Sequence, residues 1–148
     1  MAVRLATEKD IDVIVRLRMQ MLREEAECLP ENLEDAVFKY VKDHLPNGSC
    51  ICALLEEDGQ VVSMAMLCAF EEIPDEVNVY GKTAKLRSVY TVPEYRGRGY
   101  MEKLLLFLLE AARENNIKLI TNAAERKAIP LYKRVGFQMA ETMMFMDL

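Results

Sequence analysis

The segment from Lys85 to Thr121 constrains the fold of this chain more than any other. Lys85 to Val92 alternates as a strand does, Pro93-Glu94-Tyr95 turns the chain, and Arg96-Gly97-Arg98-Gly99 leads straight into a helical repeat. Within that repeat Met101, Leu104, Leu105, Leu108, Ala111 and Ala112 recur at three- and four-residue spacing. Glu102, Lys103, Glu110 and Arg113 fall between them, so one face of the helix is built for burial and the other for water. Asn115-Asn116 stops the helix, and Ile117 to Thr121 reads as a short buried strand. A strand, a helix and a second strand in this order imply a right-handed crossover connection and a mixed sheet with helices packed on it.

The remaining elements follow from periodicity and turn chemistry. Val3 to Ala6 is a short strand, and Thr7-Glu8-Lys9-Asp10 approximates a capping box that opens a helix with Ile11, Ile14, Val15, Met21 and Leu22 on one face. A second helix after Pro30 groups Leu33, Val37, Tyr40, Val41 and His44, and Pro46-Asn47-Gly48 ends it. Cys50 to Leu55 and Val61 to Phe70 are strands joined across Glu56-Glu57-Asp58-Gly59, whose Asp-Gly pair is a hairpin signal. Pro130 marks the start of a last helix, Gly136 caps its C-terminal end before Phe137, and a final strand is expected from Glu141 to Met146. The expected order is β-α-α-β-β-β-α-β-α-β, an α/β fold.

Composition closes off several classes of function. No repeat, low-complexity run or linker divides the 148 residues, so one domain spanning 1–148 is expected, long enough to bury a real core. The longest near-apolar stretch, Val61 to Phe70, is half what a membrane helix needs, and the first residues lack a secretory pattern, so a cytoplasmic protein is expected. Nineteen basic against 24 acidic residues give a net charge of −5, which argues against a nucleic-acid surface. Cys28, Cys50, Cys52 and Cys68 form no C-x-x-C pair and His44 is the only histidine. They read as reduced core thiols, with no metal site.

Chemistry concentrates at Arg96-Gly97-Arg98-Gly99-Tyr100. Residues without side chains just before a helix let backbone N–H groups approach an anion, and the helix dipole adds about half a positive charge there. The physical reading is a phosphate cradle, although Gly-x-Gly also occurs in ordinary strand-to-helix turns. The nucleotide P-loop pattern is absent, and Glu102 stands where the dinucleotide fingerprint needs its third glycine.

Taken together, "LRSVYTVPEYRGRGYMEKLL" and the later "AIPLYKRVGF" resemble the GNAT superfamily of N-acetyltransferases. That family's cofactor motif runs Gln or Arg, two residues, Gly, one residue, then Gly or Ala. Arg96, Gly99 and Met101 occupy those places, and Met101 departs from the small residue expected. Leu131, Tyr132, Gly136 and Phe137 match the second landmark. The N-terminal half agrees in element order only.

The resemblance implies a single GNAT-like domain with a mixed, mostly antiparallel sheet. It also implies acetyl-CoA, or a related acyl-CoA, as co-substrate. Its pyrophosphate would be held by the backbone from Arg96 through Gly97, Arg98, Gly99 and Tyr100 to Met101, and its pantetheine arm would lie along Val89, Tyr90 and Thr91 as an extra strand. Tyr132 is the implied catalytic residue, placed beside the coenzyme A sulfur. The implied partner is an amine acceptor, small molecule or peptide, and the protein could pair as a homodimer. For activating the amine, Glu71, Glu72 and His44 are candidates, although charged residues at strand ends are more often simply solvated. Glu24, Glu25 and Glu27 read as a helix face. Arg18 falls in the apolar stripe of the first helix, where a charge needs a partner: it reads first as an arginine that snorkels to water or pairs with a neighbouring glutamate, and otherwise as a guanidinium holding a carboxylate on the acceptor. Met143, Met144 and Met146 read as core filler or a subunit contact. Two other functions stay open at this point: a coenzyme A-binding module without catalysis, and RNA binding through the Arg-Gly segment, which the net charge disfavours.

Overall fold

A computed structural model describes residues 1–148. The chain forms β1 (Ala2–Leu5), α1 (Ile11–Glu25), α2 (Leu33–His44), β2 (Cys50–Glu57), β3 (Gln60–Glu71), β4 (Lys82–Thr91), α3 (Tyr100–Glu114), β5 (Leu119–Thr121) and α4 (Ile129–Val135). The strands make one sheet in sequence order, antiparallel from β1 to β4 and parallel between β4 and β5, where α3 is the crossover. The fold is therefore α/β, with a mostly antiparallel sheet flanked by helices, as the sequence led us to expect. No helix is long and apolar enough to cross a membrane.

Local chemistry accounts for the joints. Asp58 and Gly59 both take positive φ, 52° and 74°, the paired left-handed conformation that turns a two-residue hairpin with the twist of its strands. One turn of 3-10 helix, Glu8–Asp10, precedes α1 and carries the capping box. Asp10 accepts two hydrogen bonds of 2.8 Å from the Arg4 guanidinium and one of 2.7 Å from the Thr7 N–H, while Arg4 also reaches Glu56. Those bonds, with that to Arg4 foremost, hold the Asp10 carboxyl down at about 2. A depressed carboxylate stabilises the fold above its unfolded pKa and loses that contribution as pH falls through the folded value. Asp10→Asn is expected to cost about 1 to 2 kcal/mol at neutral pH, with the gap to wild type closing between about pH 4 and 2. Urea unfolding of both proteins across that range is the check.

The sheet separates two cores. On one face α3 contributes Leu104, Leu105 and Leu108, packed against Ile51, Ala53, Leu67, Ala84 and Leu86. On the other, α1 and α2 cover Cys52, Leu54, Met64, Met66 and Tyr90 with Ile14, Leu17 and Val41. Each large aliphatic side chain fully buried in this way contributes about 1.5 to 3 kcal/mol.

Five expectations need correction. The strand expected as buried from Ile117 to Thr121 begins only at Leu119, which is 51% exposed. The final strand, Glu141 to Met146, does not form. β5, the last strand of the sheet on that side, is three residues long, too short an edge to pair a six-residue strand along its length. Met143, Met144 and Met146 are consequently 68%, 91% and 81% exposed, so they fill no core. Cys50 and Cys52 are buried thiols, but Cys28 is exposed beyond the end of α1. β4 begins three residues earlier than Lys85, because Lys82 to Ala84 pair with the end of β3.

Candidate active site

The site is built on an irregularity in β4. Opposite β3, Met64 pairs with Tyr90 and Met66 with Arg87, so Ser88 and Val89 together face Ala65. This bulge puts Ser88 at φ 53° and bends the strand. On its other side β4 pairs with β5 only from Thr83 to Lys85, so Leu86 to Thr91 have no strand beside them. Ser63 secures the far end: its hydroxyl lies 3.0 Å from the Tyr90 carbonyl and 2.8 Å from the Thr91 hydroxyl.

A 3-10 turn at Pro93–Tyr95 then delivers the chain to the glycine loop. Gly97 and Gly99 have φ of 76° and 74°, and a Cβ on either would meet nothing within 4 Å. These glycines serve the backbone conformation and leave open space in front of it. The N–H groups from Gly97 to Glu102 donate to no backbone carbonyl. Six consecutive donors are thus unpartnered at and just before the start of α3, where its dipole is positive. Arg98 folds back, donating to the Glu94 carbonyl at 3.0 Å and stacking over Tyr95. Arg96 donates to the Thr91 carbonyl at 2.8 Å, lies over the Tyr90 ring and pairs with Glu24 at 2.7 Å. The Tyr90 hydroxyl also donates to Glu24. Glu24 was expected to be plain helix face; it instead clasps the end of α1 to the loop. The hydrogen bond from Tyr90, then that from Arg96, lowers the Glu24 pKa, while burial and then Glu24 push the Tyr90 hydroxyl up to about 12.

Two adjoining hollows follow this geometry. One, of about 320 Å³, lies before the loop and is lined by Val89, Thr91 and the run from Arg96 to Met101. The other, of about 740 Å³, opens between β4, α4 and the end of α1, and includes Tyr90, Asn122 and Tyr132. They share Val89, Thr91, Arg96 and Leu131, so one groove runs from the glycine loop to Tyr132. Every residue assigned from the motif to the cofactor or to catalysis lines it.

Tyr132 is 8% exposed and is held by the end of α4. Gly136, at φ 113°, caps the helix, and the Phe137 N–H returns to the Tyr132 carbonyl at 3.0 Å. That return sets the Phe137 ring edge-on to Tyr132 at 5.6 Å. Burial raises the Tyr132 hydroxyl pKa, the nearby Asn122 amide opposing it. Asn122 Nδ2 is itself buried without a partner. Neither Asn122 nor Arg134 stood out in the sequence. Arg134 pairs with Glu102 at 3.3 Å beside the loop, and only its place four residues past Pro130 hints at that.

The other candidates lie elsewhere. His44 stacks on Tyr40 and bonds Ser49 at 2.7 Å, and Glu72 accepts from Thr83 at 3.1 Å. Glu71 pairs with Lys82 at the opposite end of β4 from Tyr90, about 26 Å away along a strand. None of the three lines the groove.

The profile of the acetyltransferase (GNAT) family matches residues 18–137, most of the chain and all of this groove. The chain belongs to that family. The match begins at Arg18, so the family's pattern reaches further into the N-terminal half than the two motifs do. A predicted acetyltransferase of Clostridium acetobutylicum, solved with acetyl-CoA, is 27% identical over 99% of this chain and 95% of that one, with a TM-score of 0.88. A GCN5-related N-acetyltransferase of Ralstonia eutropha shares the fold, with 22% identity, a TM-score of 0.81, and coverage of 99% and 97%. Among curated proteins, the uncharacterized N-acetyltransferase YjgM of Escherichia coli is 40% identical over 57 residues, which span 36% of this chain and 34% of that protein.

Proposed function

We propose that this protein is an N-acetyltransferase that moves an acetyl group from acetyl-CoA to a primary amine by direct attack in a ternary complex. The observation that carries the reading is the continuity of the groove. Unpartnered N–H donors at the start of α3, an unpaired stretch of β4 and the Tyr132 hydroxyl follow one another along it. A cofactor with a pyrophosphate at one end, an amide-bearing arm and a thioester at the other end needs those features in that order.

The backbone from Arg96 to Met101 would hold the pyrophosphate, with Met101, where the family's motif has a smaller residue, either narrowing the approach or shifting the contacts onto Gly97 and Gly99. Val89, Tyr90 and Thr91 would pair with the arm through their backbone. Bound acetyl-CoA would supply a thioester carbon: the amine nitrogen would bond to it and give up a proton to solvent, the carbon–sulfur bond would break, and the sulfur would leave as a thiolate that takes up a proton from solvent after release. Tyr132 donates a hydrogen bond to that sulfur as charge builds. A thiol pKa of about 8.5 lies below that of a tyrosine phenol, about 10, and burial widens the difference here, so the hydroxyl keeps its proton and stabilises charge rather than transferring the proton outright. An amine with the pKa of lysine costs about 4 to 5 kcal/mol to deprotonate at neutral pH, so the acceptor must enter as the free base or lose its proton in the groove.

The test is release of free thiol from acetyl-CoA across a panel of amines, run beside thermal melting with coenzyme A. Acceptor-dependent thiol release is the expected result. Stabilisation by coenzyme A with no release for any amine would instead identify a binding module without catalysis.

A further inference from the structure

The larger hollow is lined by seven charged side chains, and they are not evenly paired. Glu24 is taken by Arg96 at 2.7 Å, and Glu125 by Lys127 at 3.4 Å. That leaves Arg18, Arg87 and Glu25, and neither arginine makes an ion pair or a hydrogen bond with any protein group. Arg18 comes from α1 and is half-buried. Arg87 comes from β4 opposite Met66, hence on the face that α1 covers, at the step where the bulge begins. A guanidinium withdrawn from water, as that of Arg18 is, ordinarily has a carboxylate partner; the neighbouring Arg87, which is exposed, is of like charge and offers none. Burial lowers the Arg18 pKa most, the charge of Arg87 lowers it further, and Glu25 offsets part of this.

We infer that Arg18 and Arg87 form the recognition site for an oxyanion on the acceptor, so that the substrate is a small amine which also carries a carboxylate or phosphate. The inference rests on the acetyltransferase reading and names its substrate class. Arg18, Arg87 and Tyr132 line the same hollow, so an anion held by the two arginines would present its own amine within it. Their planar forks suit the paired oxygens of a carboxylate or phosphate, and Glu25 is the one free carboxylate lining the hollow to face the ammonium end. Against a chain of net charge −5, this concentration of unpaired positive charge selects the anion locally.

The experiment uses matched acceptors on the whole protein: α-amino acids against their carboxamides, and phosphoethanolamine against ethanolamine. The expected preference for the anionic member of at least one pair is about tenfold or more in kcat/KM, the usual worth of one charge-assisted bond. The two arms tell carboxylate from phosphate. Arg18→Met and Arg87→Met should each erase most of that preference by raising KM for the anionic amine alone, and Arg18→Lys should restore part of it. Calorimetric binding of the same amines to the protein saturated with coenzyme A reads the site without turnover, and the coenzyme A melting shift verifies that each variant folds. Equal use and equal binding of charged and neutral partners, or an Arg18→Met loss that falls on both alike, overturns the inference while leaving the acetyltransferase reading intact. Anion binding that Arg18→Met removes, in a protein that acetylates nothing, supports the site and overturns the activity.

Discussion

Replacing Tyr132 with Phe is expected to lower kcat by about 10- to 1,000-fold while leaving affinity for acetyl-CoA nearly unchanged. The ring keeps its place, since its contacts are with the core and with the edge of Phe137, and the Phe137 N–H bonds to the Tyr132 backbone carbonyl rather than to the hydroxyl. On the proposed mechanism, what is lost is one donor to the sulfur, which carries charge only as the carbon–sulfur bond opens. Loss of such a donor typically costs about 3 kcal/mol, less where water substitutes. Single-turnover rates with a good acceptor are the measurement, because product release can mask the chemical step. A rate within about twofold of wild type would reduce Tyr132 to a core aromatic.

Gly99→Glu should abolish stabilisation by acetyl-CoA and leave the free protein folded. A carboxylate there would stand among the unpaired N–H groups at the start of α3 and occupy the position meant for the anion. At about a hundred times its dissociation constant, a ligand stabilises by about 2.7 kcal/mol, or about 5 to 10 °C in Tm for a domain of this size. The substitution carries its own backbone cost of about 1 to 2 kcal/mol, because φ is 74°. Gly59→Glu isolates that cost. Gly59 has the same φ of 74° and the same open surroundings, but it lies in the β2–β3 hairpin. It should lower Tm and keep the full cofactor shift. Equal shifts in wild type and Gly99→Glu would remove the cradle.

How far this could be read in advance depended on whether the signal was local. Asp58-Gly59, Gly99 and Gly136 each mark a backbone conformation that few other residues adopt, so the hairpin, the start of α3 and the end of α4 were legible to within a residue or two. The apolar face of α3 was legible for the same reason, being written in one stretch. Glu141 to Met146 was misread because strand formation depends on a neighbour, and no run of six residues contains information about the three-residue edge it would meet. Glu24 and Arg87 escaped for a related reason. One is an acid among acids on a helix and the other an ordinary outward position on a strand, and their roles come from what lies across the hollow. The bulge was silent too: it sits at Ser88, with no glycine to announce its positive φ. Arg18 was noticed as a charge in an apolar stripe, but the glutamate expected to neutralise it does not pair with it.

The open side of β4 has a meaning for the protein in a crowded cell. A length of strand with free N–H and C=O groups is a template on which a neighbouring molecule can add its own strand, the first step toward aggregation. Ser88 spoils the template. Its left-handed backbone breaks the regular spacing of donors and acceptors between Arg87 and Val89, and the Arg87 charge stands at the same step. A second polypeptide needs a long ladder in phase to bind, whereas a slender arm with few amides needs only a short one on either side of the break. The distortion therefore also makes this open edge a poor template for other chains, while leaving room for a short arm such as that of the proposed cofactor.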